Sequence, residues 1–280
     1  MTIFGIIITA LLEQQKYLNN IRNFFYTKLV QYVKFFITRD FKNQREIRYA
    51  YVVACSPLVL ILILLHMVLY KFGIIHFTIN MLIFIMCVQI LTWKEEAKIT
   101  TQHNKSFQFI NSFATKFFAP LFWFWLLPLG TGVFIYLLVM IISNELKHKN
   151  LDLVVYNVVV DKMLFYINVL PYTILYIFIA FAGDFENVSH YLISQRKNFT
   201  KGFYFLEEML NDIILIAIDK DKYENDTNEI EDNTESGIMN KERFSVPMVK
   251  YIVAVLYRSG LFFVATIALV GIAHLFGLIA

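Results

Sequence analysis

Residues Phe117–Ser143 read FFAPLFWFWLLPLGTGVFIYLLVMIIS, 27 consecutive residues without a formal charge. An apolar run of this length is long enough to cross the ~30 Å hydrocarbon core of a bilayer, for which ~20 helical residues suffice. Two prolines and two glycines, Pro120, Pro128, Gly130 and Gly132, interrupt it. Proline has no N–H to give to the carbonyl four residues back, and its ring clashes with the preceding turn. Inside a membrane the freed backbone groups need partners from neighbouring helices or from a water-lined cavity. The segment therefore predicts a broken span, and it is the first place to seek a site.

Outward from this segment the same character continues. Apolar residues make up 58% of the chain, charged residues 17%, and the mean hydropathy is +0.57. A soluble domain carries about 25% charged residues, so this is the composition of a polytopic membrane protein. Apolar stretches at 49–70, 72–93, 117–143, 164–183 and 261–279 predict an all-α bundle of about five spans. A sixth apolar stretch, 2–12, is too short to cross as a helix and is expected to lie partly inserted. It has neither the basic n-region nor the cleavage site of a signal peptide.

Basic residues set the expected orientation. Twenty-one of the 25 Lys and Arg fall in 13–48, 94–116 and 184–258, while Lys71, Lys147, Lys149 and Lys162 lie in the opposite connections. The positive-inside rule then places the first three stretches in the cytoplasm and the C-terminus outside. Within 13–38 a helical stripe runs through Leu18, Ile21, Phe25, Leu29, Tyr32 and Phe36, with Lys16 and Lys34 opposite and Arg22 and Lys28 on its flanks. This basic amphipathic helix suits either an anionic membrane surface or a place against the spans. A second stripe, Leu206, Met209, Leu210, Ile213 and Ala217, faces away from Glu207, Glu208, Asn211 and Asp212. Residues 219–243 are acidic and polar, and their composition predicts a flexible, solvated loop.

Chemical motifs are few. The sequence holds no GxxxxGK[ST] loop, HExxH or CxxC, so a P-loop nucleotide site and the common zinc sites have no support, and neither a cofactor nor a nucleic-acid partner is expected. Cys55 and Cys87 lie in expected spans and read as small apolar packing residues. His66 and His76 flank the turn at Lys71, with Asn80 on the face of His76, but a third ligand of the usual kind is missing. Interfacial histidines satisfied by water or backbone are the expectation. Arg258 is expected to mark the end of the last span. The sequons at Asn104, Asn187, Asn198 and Asn225 fall on the expected cytoplasmic side, where glycosylation is not anticipated.

The string Ala119-Pro120-Leu121-Phe122-Trp123, followed by the break at Gly130 and Gly132, resembles the APLFW segment shared by the AmpE proteins and the CobD/CbiB cobalamin-biosynthesis proteins. The opening MTIFGIIITALLEQ, the pair Ile110-Asn111, the block Leu170-Pro171 with Gly183, and Phe244-Ser245 before the last span are similar to AmpE. In the cobalamin branch carboxylates flank APLFW. Here those positions hold Asn111, Ser112 and Thr115 before it and an apolar run after Tyr136.

The AmpE resemblance implies a non-catalytic bacterial inner-membrane protein, a modulator of β-lactamase induction linked to peptidoglycan recycling. A peptidoglycan-derived ligand or a membrane partner protein would then be the expected partner besides the bilayer. The alternatives are a CobD/CbiB-like amide-forming membrane enzyme and a small-molecule transporter, whose substrate paths are often lined by broken helices. A binding site, if present, is expected around Asn111, Ser112, Pro120, Trp123, Pro128, Gly130 and Asp184, with neither catalytic nor metal-binding residues. Under that reading Asp184 and the backbone freed near Pro120 share a pocket. The competing expectation is that Pro120 and Trp123 only shape and anchor the bundle.

Overall fold

A computed structural model of the chain describes residues 16–37, 43–69, 71–89, 108–127, 130–148, 153–198, 201–218 and 246–275. The apolar stretch 2–12, residues 94–107 of the basic connection, Pro128 and the acidic loop 219–243 lie outside the described residues. The described residues are helical, with no strand among them. In order they form α1 (Lys16–Ile37), α2 (Gln44–Leu69), α3 (Gly73–Cys87) and α4 (Gln108–Ser112). A π-helical turn (Phe113–Phe118) leads into α5 (Ala119–Leu126), followed by α6 (Thr131–His148) and α7 (Leu153–Ala182). After these come α8 (Phe185–Gln195), a 3₁₀ turn (Arg196–Asn198), α9 (Phe203–Ala217) and α10 (Val246–Leu275).

Among the described residues three helices are long and apolar enough to cross a membrane, Gln44–Leu69, Val158–Ala182 and Met248–Ala273. They correspond to the expected spans at 49–70, 164–183 and 261–279, the last starting well before Leu261. Only 6% of the most apolar window of Gln44–Leu69 is buried, so Leu60, Ile61, Leu64, Met67 and Val68 face outward. An apolar face of that extent needs lipid or protein to cover it. The stretch 72–93 contributes a shorter apolar helix, Phe77–Cys87. Residues 117–143 do not form one rod, because α5 ends at Leu126 and α6 begins at Thr131.

The chain divides into two compact units. One comprises 1–90, 116–171 and 202–204, and the other comprises 91–115, 172–201 and 205–280. In the first unit α6 is the hub, packed against α1, α2, α3 and α5. Polar groups are paired across these helices. The Tyr51 hydroxyl lies 2.9 Å from Ser143 Oγ, joining α2 to α6. The Tyr136 hydroxyl donates to Asn168 Oδ1 at 3.1 Å, while Asn168 Nδ2 donates to Leu164 O. Such pairs join helices where packing alone gives little discrimination between apolar neighbours and lipid.

Helix α1 packs into this unit, which favours the second of its two expected places. Its buried side is Leu18, Arg22, Leu29, Val33 and Ile37, one position rotated from the hydropathy stripe, and Ile21 is 51% exposed. The reason is Arg22. Its Nε donates to Ile85 O at 2.8 Å, and its Nη2 donates to both Ile85 O and Val88 O at the end of α3. The last carbonyls of a helix have no intrahelical partner and carry partial negative charge, so a guanidinium there is both hydrogen-bonded and electrostatically favoured. Hydropathy counts Arg22 as polar and sends it outward; the bare end of α3 draws it in.

In the second unit the helix stripe on α9 is buried, with Leu206, Met209, Leu210 and Ile213 each fully enclosed. The Tyr176 hydroxyl donates to Leu206 O at 2.7 Å, and the Tyr191 hydroxyl donates to Asp212 Oδ2 at 2.6 Å, tying α8 to α9. Desolvation and the Asp212 carboxylate hold the Tyr191 phenol well above its usual pKa, so it remains a donor at neutral pH.

One contact departs from the charge-based orientation. In the first unit Asp161, near the start of the apolar part of α7, accepts from the backbone amides of Phe203 and Tyr204 at 3.1 and 3.3 Å. The orientation reading puts Asp161 outside and all of 184–258 in the cytoplasm, yet here they touch. A count of Lys and Arg does not register that the bare amides of a helix start attract a carboxylate.

Replacing Arg22 by Ala leaves the Ile85 and Val88 carbonyls without these donors and should cost about 2 to 3 kcal/mol. Equilibrium unfolding of the detergent-solubilised protein checks this against the exposed control Lys28→Ala. Equal losses would show that the Arg22 contacts contribute nothing specific.

Candidate functional site

The broken segment is organised around its prolines. The π-helical turn Phe113–Phe118 runs directly into Ala119-Pro120 at the start of α5. Pro120 cannot donate to Lys116 O, four residues back. Gln89 N, just beyond α3, donates to that carbonyl at 3.0 Å. The end of α3 is thereby held twice, by Arg22 from α1 and by the carbonyl that Pro120 leaves open.

The second proline repeats the device. Pro171 lies inside α7 and cannot donate to Ile167 O. The indole Nε1 of Trp123 donates to that same carbonyl at 3.0 Å. Ala119, Pro120, Leu121 and Phe122 are buried around it. The APLFW string therefore packs α5 into the unit and spans to α7 through one indole hydrogen bond.

The break itself needs glycine. Gly130 has φ +65°, a left-handed conformation that glycine adopts without strain, and a Cβ there would lie 2.7 Å from Ile83 Cγ2. At Gly132 a Cβ would come within 2.3 Å of Trp123 O, so the start of α6 can approach α5 only without a side chain.

The described residues among the seven expected site residues are divided between the two units. Pro120, Trp123 and Gly130 lie in the first unit, on α5 and at the start of α6. Asn111, Ser112 and Asp184 belong to the second unit, and Pro128 lies outside the described residues. Ser112 is buried, and Asn111 O accepts from Thr115 Oγ1 at 2.7 Å. Asn111 Oδ1 is buried with no hydrogen-bond partner among the described residues, an open acceptor beside the π-helical turn.

Asp184 marks a different feature. It caps α8, with Oδ1 accepting from Asn187 N at 3.1 Å and Oδ2 accepting from Asn187 Nδ2, and these bonds hold its carboxyl below the usual aspartate pKa. Its own amide donates to Ala217 O at 3.3 Å. Beside it, within the second unit, lies a cavity of about 480 Å³ lined in part by Gly183, Asp184, Ala217, Tyr251, Ala254 and Arg258. Gly183 lies so close to α9 that a Cβ would sit 2.3 Å from Ala217 O. Arg258, expected at the end of the last span, lines this cavity too. It stands inside the helix Met248–Ala273 and opens on the cavity. The sequence singled out Asp184, and Arg258 as a span end, but not Tyr251 or Ala254, because nothing in the order of residues shows that α10 passes the Asp184 turn.

The histidines offer less. His66 and Asn80 line a crevice of about 20 Å³, room for about one water, and the side chain of His76 lies outside the described residues. Among the described residues no three His, Cys, Asp or Glu side chains cluster as a metal site requires. Compared with known proteins, the chain matches no family model, no curated protein and no solved structure.

Two outcomes follow. Trp123→Phe should cost about 1 kcal/mol by leaving Ile167 O unpaired. Pro171→Ala returns a backbone donor to that carbonyl, so in its background Trp123→Phe should cost almost nothing. A double-mutant cycle of unfolding free energies measures this, and additive losses would refute the link.

The second concerns pH. The folded-state pKa of Asp184 lies below its unfolded value, so its contribution is complete above the unfolded pKa and fades as pH falls through the folded one, below about pH 4. Asp184→Asn keeps a side-chain oxygen for the cap but cannot titrate. The melting-temperature gap between wild type and this variant should shrink between about pH 6 and about pH 3. A gap independent of pH would show that the cap does not depend on the ionised carboxylate.

Proposed function

We propose that this chain is an AmpE-like, multi-pass protein of a bacterial inner membrane that modulates β-lactamase induction in connection with peptidoglycan recycling, without catalysing a reaction itself. The observation that carries the reading is the bond from Trp123 Nε1 to Ile167 O. It joins the two blocks on which the resemblance rests, APLFW and Leu170-Pro171, and it uses the residues of both as architecture.

The polar groups before APLFW support a non-catalytic role. Asn111, Ser112 and Thr115 stand where the cobalamin branch has carboxylates, and the Thr115 hydroxyl is engaged by the carbonyl of Asn111. Neutral groups of this kind neither hold a metal–nucleotide nor polarise an amide-forming reaction. In this reading the five apolar stretches cross the membrane, the basic stretches 13–48 and 94–116 face the cytoplasm and the C-terminus lies outside. A peptidoglycan-derived ligand or a membrane partner protein conveys the signal.

The test is a deletion strain of the source organism. Inducible β-lactamase, followed by hydrolysis of a chromogenic β-lactam before and after inducer, should change by several-fold, and growth without added cobalamin should be unaffected. Unchanged induction together with a cobalamin requirement would replace this reading by the enzyme.

A further inference from the structure

The cavity beside Asp184 presents two opposite charges that do not neutralise each other. Arg258 makes no ion pair or hydrogen bond among the described residues, and Asp184 bonds only to Asn187 and to backbone. A guanidinium is a planar fork of donors suited to an oxyanion. A carboxylate has about four lone-pair sites, and Asn187 occupies one on each oxygen of Asp184, so acceptor capacity remains.

The walls leave room between them. Three elements contribute small residues, Gly183 after α7, Ala217 at the end of α9 and Ala254 on α10, and the volume of about 480 Å³ falls in the range of small-ligand sites, roughly 300–1,000 Å³. The place in the fold adds a second constraint. Asp184 follows the last turn of the apolar helix Val158–Ala182, and Arg258 lies within Met248–Ala273. Charged side chains inside such helices turn toward a cavity or a partner, and headgroups lie where apolar helices end.

We propose that this cavity binds a zwitterionic group, an oxyanion on Arg258 and an ammonium on Asp184, of the phosphoethanolamine class. A bare anion is repelled by the like charge of Asp184 and a bare ammonium by that of Arg258, so each wall disfavours the ligand that would satisfy only the other. The same chemistry is carried by a phospholipid headgroup and by a soluble phosphoethanolamine. The inference stands on the cavity alone and does not require the proposed role in β-lactamase induction.

The full-length protein in detergent micelles is titrated calorimetrically with O-phosphoethanolamine, inorganic phosphate and ethanolamine. O-phosphoethanolamine should bind about tenfold or more tightly than either fragment. Arg258→Gln should weaken it by about tenfold, and Asp184→Asn should bring phosphate and O-phosphoethanolamine to within about threefold of each other. Ala254→Leu retains both charges and narrows the cavity, so it should also weaken O-phosphoethanolamine; it serves as the decisive variant if a charge substitution impairs folding.

Native mass spectrometry after reconstitution in nanodiscs separates the sources. Retention of phosphatidylethanolamine over phosphatidylglycerol, lost in Arg258→Gln, identifies a lipid headgroup, whereas binding of the soluble compound without lipid retention identifies a free ligand. Either supports the proposal. Absence of binding in both arms, or equal affinity for phosphate and O-phosphoethanolamine unaffected by Asp184→Asn, overturns it.

Discussion

A proline inside an apolar helix opens a backbone carbonyl, and in hydrocarbon that carbonyl has no water to turn to. The first unit is arranged around this constraint. Lys116 O, opened by Pro120, is taken by Gln89 N, and Ile167 O, opened by Pro171, is taken by the Trp123 indole. Beside the carbonyl that Pro57 leaves open in α2, Ala54 O accepts from the Tyr32 hydroxyl of α1 at 3.0 Å. Pro120 and Pro171 thereby each create an acceptor that a neighbour uses. Between nearly featureless apolar surfaces, such acceptors fix which residue meets which.

This explains why the break in Phe117–Ser143 was legible while its consequence was not. Charge-free length, two prolines and two glycines predicted a broken apolar helix, and the structure places the break between Leu126 and Thr131. The need for substitute partners also followed from chemistry. Their identity did not, because Gln89 and Trp123 lie far from Pro120 and Pro171, respectively, in sequence and meet the opened carbonyls only through packing. The same limit applied to the site. Asp184 was recognisable as a carboxylate at the end of an apolar run, but Arg258 and Ala254 belong to a helix that returns after a long intervening stretch.

The amphipathic helix shows a subtler failure of the same kind. Periodicity located α1 and its buried side to within one residue position, because Leu18 and Leu29 belong to both the expected stripe and the observed one. The rotation came from Arg22, whose burial hydropathy prices as a loss. At the C-terminal end of α3 the sign reverses, since orphan carbonyls supply both hydrogen bonds and negative potential.

Arg22 and Asp161 share one logic, and it separates them from Arg258. Arg22 lies against the carbonyl end of α3, and Asp161 lies against the amide end of α9, so a helix terminus supplies the charge that each requires. Such charges serve the architecture, because their partners exist only once the helices are in place. Arg258 has no helix end, carboxylate or carbonyl assigned to it among the described residues, and it faces a cavity whose other charge is already ordered by a cap. Arg258 sits in a helix long and apolar enough to cross a membrane, and charged residues in such helices are characteristic of functional sites. An exposed guanidinium and a capped carboxylate lining one cavity are open to a ligand in a way that Arg22 and Asp161, each bound to a helix end, are not.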